Sequence, residues 1–279
     1  MNSFIGCDKS YEQADIVLFG APFDGAASFR TGAKQAPSEM RKVSDEAIET
    51  FSPYQNKDLE DVTIHDFGDI CFKTEDPKSA VQTIQKTLQR FAADNKLPVM
   101  IGGDHLVTLG AVKALAEKHS NLHIIHFDAH ADIRDSYHNS KLSHACVIRR
   151  IHDVVGDGKI HSFGIRSGEK SEFEWAEGKV NINKFYLSGL AETIKSIGQN
   201  PVYITIDIDV LDPSELPGTG TPEAGGISFL KLLDAVLRLG GCTNIAGADI
   251  VELSPPLDPS GVSTITACKL LRELLLAIS

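Results

Sequence analysis

The sequence predicts an α/β protein, with a mainly parallel sheet and helices on both of its faces. Two observations carry this expectation. Short apolar runs rich in Val, Ile and Phe alternate along the chain with longer stretches of helical spacing. The runs are apolar on both faces, as strands covered by two helix layers must be. No internal repeat and no Gly/Ser/Pro-rich linker divides the 279 residues, so residues 1–279 are expected to form one domain.

The first run is Ile16–Gly20, followed by Ala21-Pro22-Phe23-Asp24-Gly25, and residues 62–65 form the second. Residues 80–94 place Val81, Ile84, Leu88 and Phe91 on one face of a helix. Residues 98–101 lead into Gly102-Gly103-Asp104-His105 and a helix over 106–119. The run 122–127 leads into Asp128. Runs at 160–164, 202–206 and 245–250 complete the strands, with helices at 230–239 and 265–278. In parallel sheets of this kind, ligands bind beyond the carboxyl ends of the strands.

Composition excludes several classes. Hydrophobic residues make up 42% and charged residues 23%, as in an ordinary globular protein. A net charge of −11 gives no basic face for nucleic acid. It serves solubility first, and it also suits a small cationic substrate. The five cysteines are odd in number and include no C-x-x-C pair, against a disulfide framework or a thiolate zinc site. Met1 to Gly6 lacks the basic and apolar regions of a leader, and no run of about eighteen apolar residues could span a membrane. These features together predict a cytoplasmic protein.

Carboxylates and histidines gather where the strands should end. In Asp128-Ala129-His130-Ala131-Asp132, extended backbone with its period of two would turn Asp128, His130 and Asp132 the same way. Asp207-Ile208-Asp209 repeats the arrangement after another strand, and His105 follows a glycine pair that permits a tight turn. Singly, each has a structural explanation as a cap, a turn former or a satisfied histidine. Together, four carboxylates at adjacent strand ends would repel one another without cations. Four Asp and two His suit two hard divalent ions, Mn²⁺ foremost, over a tetrahedral structural zinc. Such ions lower the pKa of a bound water from about 15.7 toward about 7, which points to hydrolysis.

The motifs resemble the ureohydrolase family of arginases, agmatinases, guanidinobutyrases and formiminoglutamases. Gly20-Ala21-Pro22-Phe23-Asp24-Gly25 and Arg30-Thr31-Gly32-Ala33 are similar to its amino-terminal signature. Gly102-Gly103-Asp104-His105, Asp128-Ala129-His130-Ala131-Asp132 and Thr205 to Pro213 are similar to its three metal motifs, in order. The resemblance implies a three-layer, arginase-like fold and two Mn²⁺ per chain. It implies one ion on His105 and Asp132, the other on His130 and Asp209, with Asp128 and Asp207 bridging. It further implies a proton-shuttling role for His144 and a guanidinium-holding role for Glu252, each otherwise a loop histidine and a structural carboxylate. Family members often form trimers or hexamers, so a homo-oligomer is expected.

The substrate expected first is agmatine, yielding putrescine and urea. Asp135-Ser136-Tyr137, Arg149-Arg150 and residues 217–223 resemble agmatinases, and the Asn-rich loop of arginases is absent. Agmatinases usually carry Gly then Thr or Ser after the shuttle histidine, where this chain has Ala145-Cys146. Asp135 could receive a terminal ammonium, whereas Arg134 could receive the carboxylate of a guanidino acid such as 4-guanidinobutyrate. Rival classes are a two-metal phosphatase, a single-zinc deacetylase and a non-catalytic member of the fold. The first lacks a phosphate cradle, the second does not need six ligands, and the third would not need the complete set.

Overall fold

The computed structural model describes residues 3–279, so Met1 and Asn2 of the stretch read above for a leader lie outside it. The chain begins with β1 (Ile16–Gly20), α1 (Ala36–Ala47) and a short hairpin of β2 (Phe51–Ser52) and β3 (Lys57–Asp58). There follow β4 (Ile64–Asp69), α2 (Pro77–Ala93), β5 (Leu97–Ile101), α3 (Val107–Lys118) and β6 (His123–Phe127). Next come α4 (Val147–Val155), β7 (Ile160–Ile165), α5 (Lys170–Ala176), β8 (Val180–Lys184) and α6 (Leu190–Ile197). The chain closes with β9 (Val202–Asp207), α7 (Phe229–Leu239), β10 (Ile245–Val251) and α8 (Val262–Ile278).

Eight strands build one sheet in the order β4-β1-β5-β10-β9-β6-β7-β8, and every neighbouring pair is parallel. Alternation along β1 shows how the sheet divides the core. Val17 and Phe19 join the apolar layer beneath α2 and α3, while Leu18 joins the layer beneath α1, α7 and α8. Both faces are therefore covered, which is why the central strands are apolar throughout.

Helix α2 shows how local sequence serves this packing. Asp76 accepts a hydrogen bond from the Ser79 amide at 2.8 Å and Pro77 opens the first turn, so the start is capped and preset. Val81, Ile84, Leu88 and Phe91 are buried, as their spacing predicts. Helix α8 is buried nearly all round, including Leu270, Leu271, Leu274 and Leu275. Truncating one of these leucines to alanine costs about 2–5 kcal/mol.

Seven elements stand outside the sequence reading: α1, the hairpin strands β2 and β3, the helices α4, α5 and α6, and β8. Strand β8, Val-Asn-Ile-Asn-Lys, lies at the sheet edge and is largely half-exposed, so it lacks the apolar run of a central strand. Helices α4, α5 and α6 are nine, seven and eight residues long, too short for a strong periodic pattern.

The four central strands β5, β10, β9 and β6 come from both halves of the chain. After β5 the chain crosses to β6 and later returns to fill the gap between them with β9 and β10. Their carboxyl ends lie side by side at the switch in strand order, where α/β sheets present their crevice.

Candidate active site

Each central strand delivers a functional side chain at its carboxyl end, but not by strand alternation alone. After β5 the backbone turns at Gly103, where an added Cβ would sit 1.7 Å from the Phe23 carbonyl oxygen. Only glycine permits that approach, and it sets His105 at the base of the site. Beyond β6 the extended backbone fails at Asp132, whose φ is 53°. Beyond β9, residues Ile208–Val210 form a 3-10 turn, with the Asp209 amide donating to Asp207 Oδ1 at 2.9 Å. The predicted alternation extends as far as His130, which pairs with Ser167, and is replaced by turns at Asp132 and Asp209, yet the side chains still converge.

His105 Nδ1 lies 3.2 Å from Asp128 Oδ2, 3.2 Å from Asp207 Oδ2 and 3.5 Å from Asp132 Oδ2. His130 Nδ1 lies 2.9 Å from Asp209 Oδ2 and 3.5 Å from Asp128 Oδ1. Asp128 therefore faces His130 with Oδ1 and His105 with Oδ2. All six residues meet in one cluster, and all but half-exposed His130 are buried.

The electrostatics of this cluster are out of balance. Burial, then the charges of Asp209 and Asp128, push the Asp207 carboxyl well above its ordinary range. Burial also raises Asp209. Burial would raise Asp128 too, but the imidazoles of His105, His126 and His130 hold it well below. Burial acts to lower His105, and the surrounding carboxylates outweigh it. His105 Nδ1 and Asp209 Oδ2 are buried without a hydrogen-bond partner, although oppositely signed atoms lie within about 3 Å of each. These contacts are close in distance but not aligned as hydrogen bonds, so the lone pairs meet in shared space. Crowded oxygen and imidazole donors with orphaned atoms fit hard divalent cations.

Beside the cluster, Glu252 stands at the end of β10 with a φ of 66°, a strained conformation for a glutamate. Its amide donates to the Gly103 carbonyl at 2.8 Å, and its Oε1 accepts from the His105 amide at 2.8 Å. The carboxylate is thereby locked between two strand ends. His144 Nδ1 lies 3.5 Å from Glu252 Oε1. Burial works to lower the His144 imidazole, but Glu252, with Asp132 and Asp104, pushes it up to about 9.

A cavity of about 300 Å³ opens over these groups, lined by Ser28, His130, Asp132, Arg134, Tyr137, His144, Glu169, Glu172 and their neighbours. Arg134 lies 3.1 Å from Glu169 and 3.6 Å from Glu172, and its guanidinium covers the Tyr137 ring. Asp135 is not among the lining residues. It faces outward to Arg150 at 3.1 Å, Lys141 at 3.8 Å and Arg149 at 3.9 Å. In this arrangement its basic neighbours, rather than the cavity, take up the Asp135 carboxylate. Ala145 lines the wall, whereas Cys146 is fully buried with burial pushing its thiol up to about 11. Cys146 is thus a small core residue.

Several residues near the site were not picked out from the sequence, the wall carboxylates Glu169 and Glu172 among them. Ser28 Oγ lies 2.7 Å from His144 Nε2, across 116 positions of chain. Nothing local pairs them; Ser28 lies merely inside the amino-terminal motif segment. His126 Nε2 lies 2.8 Å from Asp128 Oδ2, and its Nδ1 lies 2.9 Å from Ser162 Oγ. Its spacing of two from Asp128 on a strand was a usable signal.

An Arginase family model matches residues 14–277 of the chain. An agmatinase of Bacillus cereus is 42% identical over 276 residues, 98% of this chain and 95% of that protein. A solved structure from Clostridium difficile superposes with a TM-score of 0.94 at 46% identity, covering 97% of this chain and 99% of that one. The agmatine ureohydrolase of Thermoplasma volcanium superposes with a TM-score of 0.89 at 34% identity, over 99% and 94% of the two chains.

Proposed function

The chain belongs to the arginase family, and we propose that within it this hydrolase converts agmatine and water to putrescine and urea. The observation that carries the choice of substrate is the charge along the cavity. His144 lines the cavity with Glu252 3.5 Å behind it, and the wall offers Glu169 and the buried Glu172 against the cation Arg134, which both of them already engage. A guanidinium at the floor and an ammonium at the rim suit this wall. A guanidino acid would bring its carboxylate to an arginine that is already paired.

His105, Asp128, His130, Asp132, Asp207 and Asp209 would hold two divalent cations, proposed as Mn²⁺. When bound, these supply an acidified water and electrophilic stabilisation of developing negative charge. Glu252 would pair with the planar guanidinium and set its carbon over the cluster, since Oε1 is already fixed by the His105 amide. Oxygen of water adds to that carbon, the bond from carbon to the alkyl nitrogen breaks, and that nitrogen takes a proton to leave as the amine. His144, with Ser28 on Nε2, would move the proton between the site and the cavity mouth.

Finer assignments complete the proposal. We propose a cytoplasmic site for the reaction, and the five free thiols support it. A homo-oligomer, trimer or hexamer, would cover exposed Phe185, Tyr186 and Leu230.

The test compares urea release by Mn²⁺-loaded protein from agmatine, arginine, 4-guanidinobutyrate and 3-guanidinopropionate. Urea from agmatine alone is expected. Faster release from a guanidino acid would overturn the substrate, and release from none would overturn the activity.

A further inference from the structure

Behind His105, on the side away from the proposed cations, lies a fully buried carboxylate that the reaction does not use. Asp249 belongs to β10 and points between β9 and α3. Its Oδ2 accepts hydrogen bonds from the Tyr203 hydroxyl at 2.6 Å and the Thr108 hydroxyl at 2.8 Å. Thr108 Oγ1 lies 3.4 Å from Thr205 Oγ1, and Thr205 Oγ1 lies 3.0 Å from His105 Nε2. All five residues are sealed from solvent. An isolated carboxylate in such a place is costly unless its partners are fixed.

The protons in this chain can be counted. An ionised carboxylate only accepts, and each hydroxyl has a single proton to give. Thr108 spends its proton on Asp249, so toward Thr205 it can only accept. Thr205 also faces Asp249, whose charge turns its proton to the Thr108–Asp249 side, so toward His105 it too accepts. The remaining donor is then His105 Nε2–H, which leaves Nδ1 as the nitrogen to lose its proton when a cation binds. Nδ1 is the atom that lies among Asp128, Asp132 and Asp207 without a hydrogen-bond partner.

We propose that Asp249, through Thr108 and Thr205, is a positioning residue that fixes the tautomer and ring orientation of His105 for one of the two cations. Metal-binding histidines commonly donate their second nitrogen directly to a carboxylate or carbonyl. Here two threonine hydroxyls lie between, and Tyr203 anchors the far end. The other histidine of the cluster has no part in this chain, because His130 is a half-exposed residue across the site. The effect should therefore fall on one cation site only.

This inference rests on the two-cation site proposed above, and its test separates the two. Metal-free protein is titrated with Mn²⁺ by calorimetry, with bound ions counted after dialysis, for wild type, T205V, T205S, T108V and D249N. Wild type is expected to bind two ions. T205V removes the hydroxyl at nearly constant shape and should weaken one ion about 10–100-fold while sparing the other. T205S keeps the hydroxyl and should restore binding. T108V breaks the chain one link further out without touching the histidine and should weaken the same ion. D249N can donate as well as accept, so the chain no longer has a fixed direction, and the same ion should weaken.

Wild-type protein that binds no ions, or only one, overturns the two-cation site itself. If wild type binds two ions and T205V matches it at both, the tautomer chain is overturned. Equal weakening of both ions, or a T205S variant no better than T205V, overturns it as well. Should T205V fail to fold, T108V decides: unchanged affinity for both ions overturns the proposal.

Discussion

Strand β6 begins at His123 and runs out into Asp128, and the histidines gathered at its two ends shift in opposite directions. At the amino end, His123 and His161 stack with ring centroids 5.4 Å apart, and His123 Nδ1 lies 3.1 Å from His161 Nε2. Burial, reinforced by Lys159, lowers His123; burial, then His123 and Lys159, lowers His161 to about 4. At the carboxyl end burial acts on His105 and His130 in the same sense, yet both rise because carboxylates surround them. His105 is the most deeply buried of the four, so burial alone would lower it most. What differs is the sign of the nearest charge, and at these distances it outweighs desolvation. The amino end is a neutral structural pair, while the carboxyl end is a charged cluster that needs cations.

The most severe way to break that contrast is to remove the carboxylate that faces both histidines. Asp128→Asn should cut urea release by more than about a hundredfold, beyond the range for residues that only support a ligand. Metal content after dialysis should fall with it. Urea release at the wild-type rate would mean that Asp128 is not a ligand.

Glu252→Gln sharpens the comparison within the carboxyl end, since it removes charge facing the substrate and leaves the cluster. Losing a charge-assisted pair of about 1.5–3 kcal/mol corresponds to roughly 10–100-fold in kcat/KM. Both cations should remain bound. Loss of a cation would place Glu252 among the ligands instead.

Ser28→Ala removes the hydroxyl on His144 Nε2 and should lower kcat about tenfold, a fraction of the roughly 10²–10⁴ that general acid–base groups supply. Its KM for agmatine should hold within about twofold. Wild-type kcat across the pH range would leave Ser28 outside the proton path.

The smallest effect belongs to the amino end. His161 has an ordinary value of 6.5 and a folded value of about 4. Between these the unfolded chain binds a proton that the folded chain refuses, so folding loses stability as pH falls from about 6.5 to about 4 and levels off below. His161→Asn should flatten that segment of the melting curve, with a change of a few degrees. An equally steep fall in the variant would mean that the pair does not titrate as described.

Much of the fold was legible because the central strands are buried on both sides and so must be apolar throughout. Ile16–Gly20 and the helix around Val81, Ile84, Leu88 and Phe91 are plain in the sequence for this reason. Strand β8 was not legible, because an edge strand keeps its polar residues. In the site, the cluster residues stand in short motifs that no ordinary turn requires. Ser28 and the Asp249 chain do not, because their partners are brought near by sheet order alone. Asp135 illustrates the opposite case, a charged loop residue whose sequence position fits a substrate contact but whose basic neighbours hold it outside the cavity.

The sequence by itself determined the layered α/β class, the identities of the clustered Asp and His residues and the kind of cation they suit, since periodicity and side-chain chemistry are local properties. Only the tertiary structure decided which oxygen faces which histidine, that Ser28 meets His144, and that Thr205 stands behind His105. Those contacts depend on β9 and β10 inserting between β5 and β6, and that adjacency is set by packing across the whole sheet.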